Sequence, residues 1–168
     1  MNTVLRPARL ADIPRMQEIE REAAELFRGS PLIDITKMAV VAMSDHVGSI
    51  EAQLSIVAEI DGRAAGFVMG EMRGVDTYLH ELDVGTAYQR RGAGAALVRA
   101  FVEAARAKGA VEVYLSTFRD PPWNAPFYAR MGFREIARAD YLPWMTAIET
   151  QQAEILDIAT RVFMRIKT

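Results

Sequence analysis

Gln89-Arg90-Arg91-Gly92-Ala93-Gly94 lies between a predicted strand and a predicted helix, and its spacing decides the fold. Ahead of it, Tyr78-Leu79-His80-Glu81-Leu82-Asp83-Val84 reads as a strand. Behind it, Leu97, Val98, Phe101, Val102 and Ala105 recur every three or four residues, as one apolar helix face does. Arg99, Glu103 and Arg106 take the opposite face, and Gly109 is a stop signal. A helix that begins here leaves its first backbone N–H groups without intrahelical partners, at the positive end of its dipole. Gly92, Ala93, Gly94 and Ala95 are small enough to let a phosphate approach that backbone, and Arg90 and Arg91 add positive charge. The stretch reads as a cradle for a pyrophosphate.

Two common phosphate loops do not fit. A P-loop needs Lys-Ser or Lys-Thr after its second glycine, and none follows Gly94. The dinucleotide fingerprint needs a third small residue where Leu97 stands. The remaining pattern, Gln-x-x-Gly-x-Gly, resembles the GNAT superfamily of acetyl-CoA-dependent N-acetyltransferases. Three blocks carry the resemblance: Glu81 to Val84, Gln89 to Gly94, and Asn124-Ala125-Pro126-Phe127-Tyr128-Ala129-Arg130-Met131-Gly132-Phe133. It implies an α/β chain of the GNAT fold, with a central mixed sheet of six to seven strands flanked by helices. The fourth and fifth strands would splay apart, and residues 1–168 would form one such domain.

The resemblance also implies the site. Acetyl-CoA would be the co-substrate, with Gln89, Arg90, Arg91, Gly92, Ala93, Gly94 and Ala95 on its pyrophosphate. Leu82, Asp83 and Val84 would pair with the pantetheine arm like an extra strand, and the Val84 N–H would face the developing oxyanion. Asn124 would hydrogen-bond the pantetheine, although capping its own helix is a sufficient alternative. Acetyl transfer to an alkyl amine needs a proton removed from a group of pKa about 10.4 and a thiolate protonated at about 8.5. Tyr128, four residues after Asn124 and on the same side of a short helix, is the candidate acid. Glu81, directly or through a water, is the candidate base, with His80 its rival. A bulge in that strand would scramble the alternation that tells their faces apart. Trp123 and Trp144 would line the acceptor pocket or join the core, the core being the expectation for both.

Composition narrows the field. The 168 residues are 51% hydrophobic and 25% charged, as expected of one soluble globular domain. A net charge of −2 gives no general pull towards nucleic acid or membrane, and weighs mildly against acidic acceptors. The absence of cysteine removes disulfides and thiolate chemistry, and two histidines make a histidine-built metal site improbable, so no metal is expected. No signal peptide or transmembrane run is visible, and the expected location is cytoplasmic.

Along the chain, Thr3 to Arg6 reads as a first strand and Asp12 as the N-cap of a helix whose apolar stripe runs from Ile13 to Phe27. Met38 to Met43 reads as a possible second helix and Asp45 to Ser49 as loop. Ser55 to Ile60 and Ala64 to Glu71 flank Asp61-Gly62, a tight-hairpin signal. Gly66 and Gly70 imply a bulge or close packing in the second of these strands. Further strands are expected over Val111 to Ser116, Phe133 to Ala137 and Arg161 to Ile166, with a helix over Ala125 to Met131 and another around Ile148 to Ile158. In the GNAT fold the last strand inserts beside the fifth. The leading function is transfer of acetyl from acetyl-CoA to a primary amine on a small molecule or peptide, by direct attack in a ternary complex. A non-catalytic acyl-CoA-binding module of the same fold is the alternative. A homodimer is possible by analogy with relatives.

Overall fold

The architecture follows from seven strands in the order β1-β2-β3-β4-β5-β7-β6, seen in a computed structural model that describes residues 3–168. The strands are β1 (Thr3–Pro7), β2 (Ser55–Ile60), β3 (Arg63–Arg73), β4 (Asp76–Val84), β5 (Glu112–Phe118), β6 (Arg134–Glu135) and β7 (Arg161–Lys167). All neighbours are antiparallel except β4 and β5, whose parallel pairing needs the crossover helix α3 (Ala93–Ala107). The last strand does insert beside β5, and β6 is reduced to two residues on the outer edge. This is the mixed, helix-flanked sheet expected from the sequence.

The α3 face is apolar and closely packed. Leu97, Val98, Phe101 and Ala105 are buried against Val68, Leu79 and Leu115 of the sheet. Gly70 makes this approach possible, because a Cβ there would collide with the Tyr78 carbonyl and the Phe101 ring. The opposite face is covered by α1 (Ile13–Ala24), α2 (Met43–Glu51) and α5 (Pro143–Gln152). Met16 and Ile19 of α1 pack on Val57, Phe67 and Met69. Tyr78, Tyr114, Met145 and Phe163 form a separate cluster towards α5, with Trp144 against it.

Several local expectations are corrected. Asp12 does not cap α1 with its side chain; its carboxylate accepts the Arg9 N–H at 2.7 Å and pairs with Arg6. The second helix covers Asp45 to Ser49, read as loop, and begins only at Met43. The cause is Glu20, whose buried carboxylate accepts the Val41 N–H at 2.9 and 3.0 Å and ties that segment down just ahead of the helix. Ser49 then faces inward, donating to the Leu54 carbonyl and accepting from the Gly70 N–H. The polar helix begins at Pro143, a residue suited to a first turn, and ends at Gln152 rather than near Ile158. The expected hairpin is present, with Asp61 and Gly62 at φ of 51° and 75° between paired Ile60 and Arg63.

Candidate active site

The parallel pairing of β4 with β5 stops early. Thr77, Tyr78 and Leu79 are matched to Val113, Tyr114 and Leu115, and nothing beyond them pairs. At that point β4 bulges: its partners on β3 step from Gly70–Leu79 to Met69–Glu81, leaving His80 as the extra residue. A bulge bends and twists the strand that carries it. From Ser116 onward β5 is bonded only to β7, so its free edge faces the unpaired edge of residues 80–84 across a slot. This is the expected splay.

The bulge also sorts the side chains. Glu81 and Asp83 stand opposite Met69 and Phe67, and so share the α1 face of the sheet. Leu82 and Val84 turn the other way, towards α3. The Gly85 N–H bonds to the Ala65 carbonyl of β3, so the preceding Val84 N–H points to the slot. Glu81 and His80 both line the cleft that the slot opens into, a space of ≈ 1360 Å³.

At one end of that cleft, Gly92 takes a left-handed φ of 84° and turns the chain into α3. The first intrahelical bond runs from the Ala96 N–H to the Gly92 carbonyl, so the N–H groups of Ala93, Gly94 and Ala95 precede the ladder. Gln89, Arg90, Gly92, Ala93, Gly94 and Ala95 line the cleft; Arg91 is exposed outside its lining. The Gln89 side chain donates to the Val84 carbonyl at 3.0 Å, clipping the loop to the end of β4.

Beside the start of α3, where the Phe127 ring approaches Gly94, α4 (Ala125–Arg130) brings Tyr128 to the slot. Asn124 does not cap this helix with its side chain. Its main-chain carbonyl accepts the Phe127 and Tyr128 N–H groups, while its Nδ2 donates to Thr117 Oγ1 at 2.9 Å. That leaves Asn124 Oδ1 buried without a partner, an acceptor waiting for a donor. Tyr128 is 7% exposed, edge-on to Phe127 and Phe133. Burial first, then the negative charges of Glu81 and Asp83, hold its phenol well above the usual tyrosine range, so it remains a proton donor at any working pH.

The α1 face concentrates carboxylates. Burial and the nearby Glu20 push Glu81 up to about 8, with a small opposing effect from Arg161. Burial, then Glu81 and Glu20, raise Asp83 well above the carboxylate range, and Asp83 Oδ2 is buried without a partner. Burial likewise pushes Glu20 up to about 7, against the Val41 N–H that it accepts. Among the described residues no group of three or more His, Cys, Asp or Glu is placed to hold a metal ion.

Sequence reading missed Glu20 and Arg161. Glu20 carried a signal: a carboxylate four residues after Met16 and one after Ile19 sits inside the apolar stripe. Arg161, the first residue of β7, carried none. Trp144 packs in the aromatic cluster as expected, but Trp123 is 43% exposed and lines the cleft beside Phe27.

Residues 15–133 match the family model described as the acetyltransferase (GNAT) family. The chain belongs to that family. Solved structures resemble this GNAT chain over its length. The PaiA N-acetyltransferase of Thermoplasma acidophilum, in complex with coenzyme A, is 17% identical, with a TM-score of 0.76 and 100% of each chain covered. A ribosomal-protein-alanine N-acetyltransferase from Brucella melitensis is 18% identical (TM-score 0.69; 98% of this chain and 99% of that one). YncA of Salmonella typhimurium, a putative acetyltransferase with its cofactor acetyl-CoA, is 19% identical (TM-score 0.66; 99% and 94%). At these identities the solved structures establish the fold of the GNAT chain. No described helix in it is long and apolar enough to cross a membrane.

Proposed function

We propose that the chain transfers the acetyl group of acetyl-CoA to a primary amine by direct attack in a ternary complex. The observation that carries this reading is the slot between β4 and β5, with free helix N–H groups at one end and Tyr128 and Glu81 along it. The residues fit the coenzyme. Ala93, Gly94 and Ala95 would hold its diphosphate with main-chain N–H groups, aided by the charge of Arg90 and Arg91. The edge of Leu82 to Val84 would take the pantetheine arm as a neighbouring strand, and Asn124 Oδ1 would accept one of its amide N–H groups.

When bound, acetyl-CoA supplies an activated acyl thioester. Glu81 takes a proton from the amine, directly or through a water, and its raised pKa makes it a base matched to neutral pH. The Val84 N–H donates to the carbonyl oxygen as negative charge gathers there. Tyr128 donates its phenolic hydrogen towards the departing sulfur. The nitrogen–carbon bond forms, the carbon–sulfur bond breaks, and amide and thiol leave. Because burial and mutual repulsion raise Glu20, Glu81 and Asp83 together, a cationic amine arriving at this face would favour their ionised forms.

The test is thiol release from acetyl-CoA across a panel of amines and peptides, with calorimetry for coenzyme A alongside. Turnover on at least one amine supports transfer. Tight coenzyme binding without turnover on any of them returns the chain to the alternative of an acyl-CoA-binding module.

A further inference from the structure

Among the described residues, Arg161 is the cleft arginine whose guanidinium is held inside the protein with no carboxylate bonded to it. Among the described residues it forms no ion pair. Its Nη2 donates to Ser116 Oγ at 3.1 Å, its guanidinium carbon lies 4.6 Å from the centroid of the Phe118 ring, and its Nε is buried with no partner. Guanidinium groups do not deprotonate in proteins, so a buried one without an anion retains its desolvation cost. A phenyl face and one hydroxyl offset only part of that. The other cleft arginines are accounted for otherwise: Arg73 pairs with Glu71, Arg130 donates to the Pro122 carbonyl, and Arg90 lies at the diphosphate end.

Ser116 and Phe118 lie on the β5 edge of the slot and point to the same face as Tyr114, which is matched to Tyr78. Tyr78 and Glu81 stand opposite Glu71 and Met69, two residues apart on β3, so they share that face as well. Arg161, beside β5, and the carboxylates Glu81 and Asp83 of β4 therefore share one face of the sheet on opposite sides of the slot. We propose that Arg161 anchors a carboxylate on the acceptor, making the substrate an amino-carboxylate whose amine is presented to Glu81. The inference rests on the acetyl-transfer reading and narrows its substrate class. Leu26, Phe27, Met38, Ile148 and Ile155 line the same cleft and offer an acceptor apolar contact. The net charge of the whole chain does not describe the field at this one buried group.

The test compares phenylalanine, leucine and methionine with their primary amides and decarboxylated amines, and with C-amidated tripeptides bearing the same N-terminal residue. The expected result is a kcat/KM higher for the acids by roughly 10²–10³-fold. That preference collapses in Arg161→Met and is partly restored in Arg161→Lys, while calorimetric affinity for coenzyme A is unchanged. Amides, bare amines or tripeptides used as well as the acids by the wild type would overturn the proposal, as would a preference that survives Arg161→Met. The wild-type ratio decides even if that variant fails to fold. Calorimetric binding of acid against amide to the coenzyme-loaded protein separates this proposal from the reading beneath it. Selective binding of the acids without turnover keeps the anchor and removes the transfer; turnover without selectivity does the reverse. If no acid binds, Arg161 is not an acceptor anchor.

Discussion

The two faces of the sheet are built on different terms. Under α3 the contacts are apolar and regular, and the surface proposed for the coenzyme is main chain: a helix N-terminus and the edge of β4. Under α1, α2 and α5 the core is split into two clusters, and between them lie Glu20, Glu81, Asp83 and Arg161. A ligand gripped by backbone needs only small residues and a turn, which short sequence motifs record. A ligand gripped by side chains draws on α1, β4, β5 and β7 together, and no short motif spans them. On the proposed reading the coenzyme side is generic, and selectivity would reside on the side where charges are buried.

That contrast can be broken at several points. The largest effect is expected from deleting residues 160–168, because β7 pairs with both β5 and β6. The truncated chain should not fold, and soluble protein with an unchanged melting transition would refute the topology. Next, Tyr128→Phe should lower kcat by roughly 10²–10⁴-fold with little change in KM, the range for a lost acid; steady-state kinetics with a fixed amine checks it. Glu81→Gln should cost roughly 10²-fold in kcat/KM. It should also erase an acidic limb that the wild type shows below about pH 8, where Glu81 gains its proton. His80→Gln should keep that limb; if the limb disappears there instead, the base is His80. On the coenzyme side, Gly92→Val forces a branched side chain into a left-handed conformation and should weaken coenzyme A binding by roughly ten-fold in calorimetry.

The smallest effect concerns stability. Glu81 and Glu20 have folded-state values of about 8 and about 7, above the ordinary carboxylate range of about 4.3. The folded state then binds more protons than the unfolded one between these limits, so these groups favour folding near pH 5 and lose that contribution as pH rises towards 8. Discounted for solvent in an open cleft, Glu81→Gln should stabilise the protein at pH 8 by about 1–2 kcal/mol, or roughly 3–6 °C. It should leave it nearly unchanged at pH 5. Melting scans at the two pH values suffice.

The sequence disclosed the generic side well. The helix stripe from Leu97 to Ala105, the Asp61-Gly62 turn and the close approach at Gly70 are all local signals, and each is present. The order of β2 to β5 followed from short turns plus one crossover, and the place of β7 beside β5 from the family resemblance. The acceptor side was read poorly because its causes are distant. The start of α2 depends on Glu20, 21 residues before the amide it holds. Asn124 was open to a capping role because its partner Thr117 belongs to another element. Arg161 is invisible until β7 is placed beside Ser116, 45 residues earlier in the chain.

The insertion of β7 between β5 and β6 has a consequence for synthesis. A ribosome emits β6 before the strand that must separate it from β5, so the sheet cannot be assembled in the order of translation. Until residues 161–167 clear the exit tunnel, the free edge of β5 has no permanent neighbour, and a nascent chain stalled there would present it to chaperones or to other nascent chains.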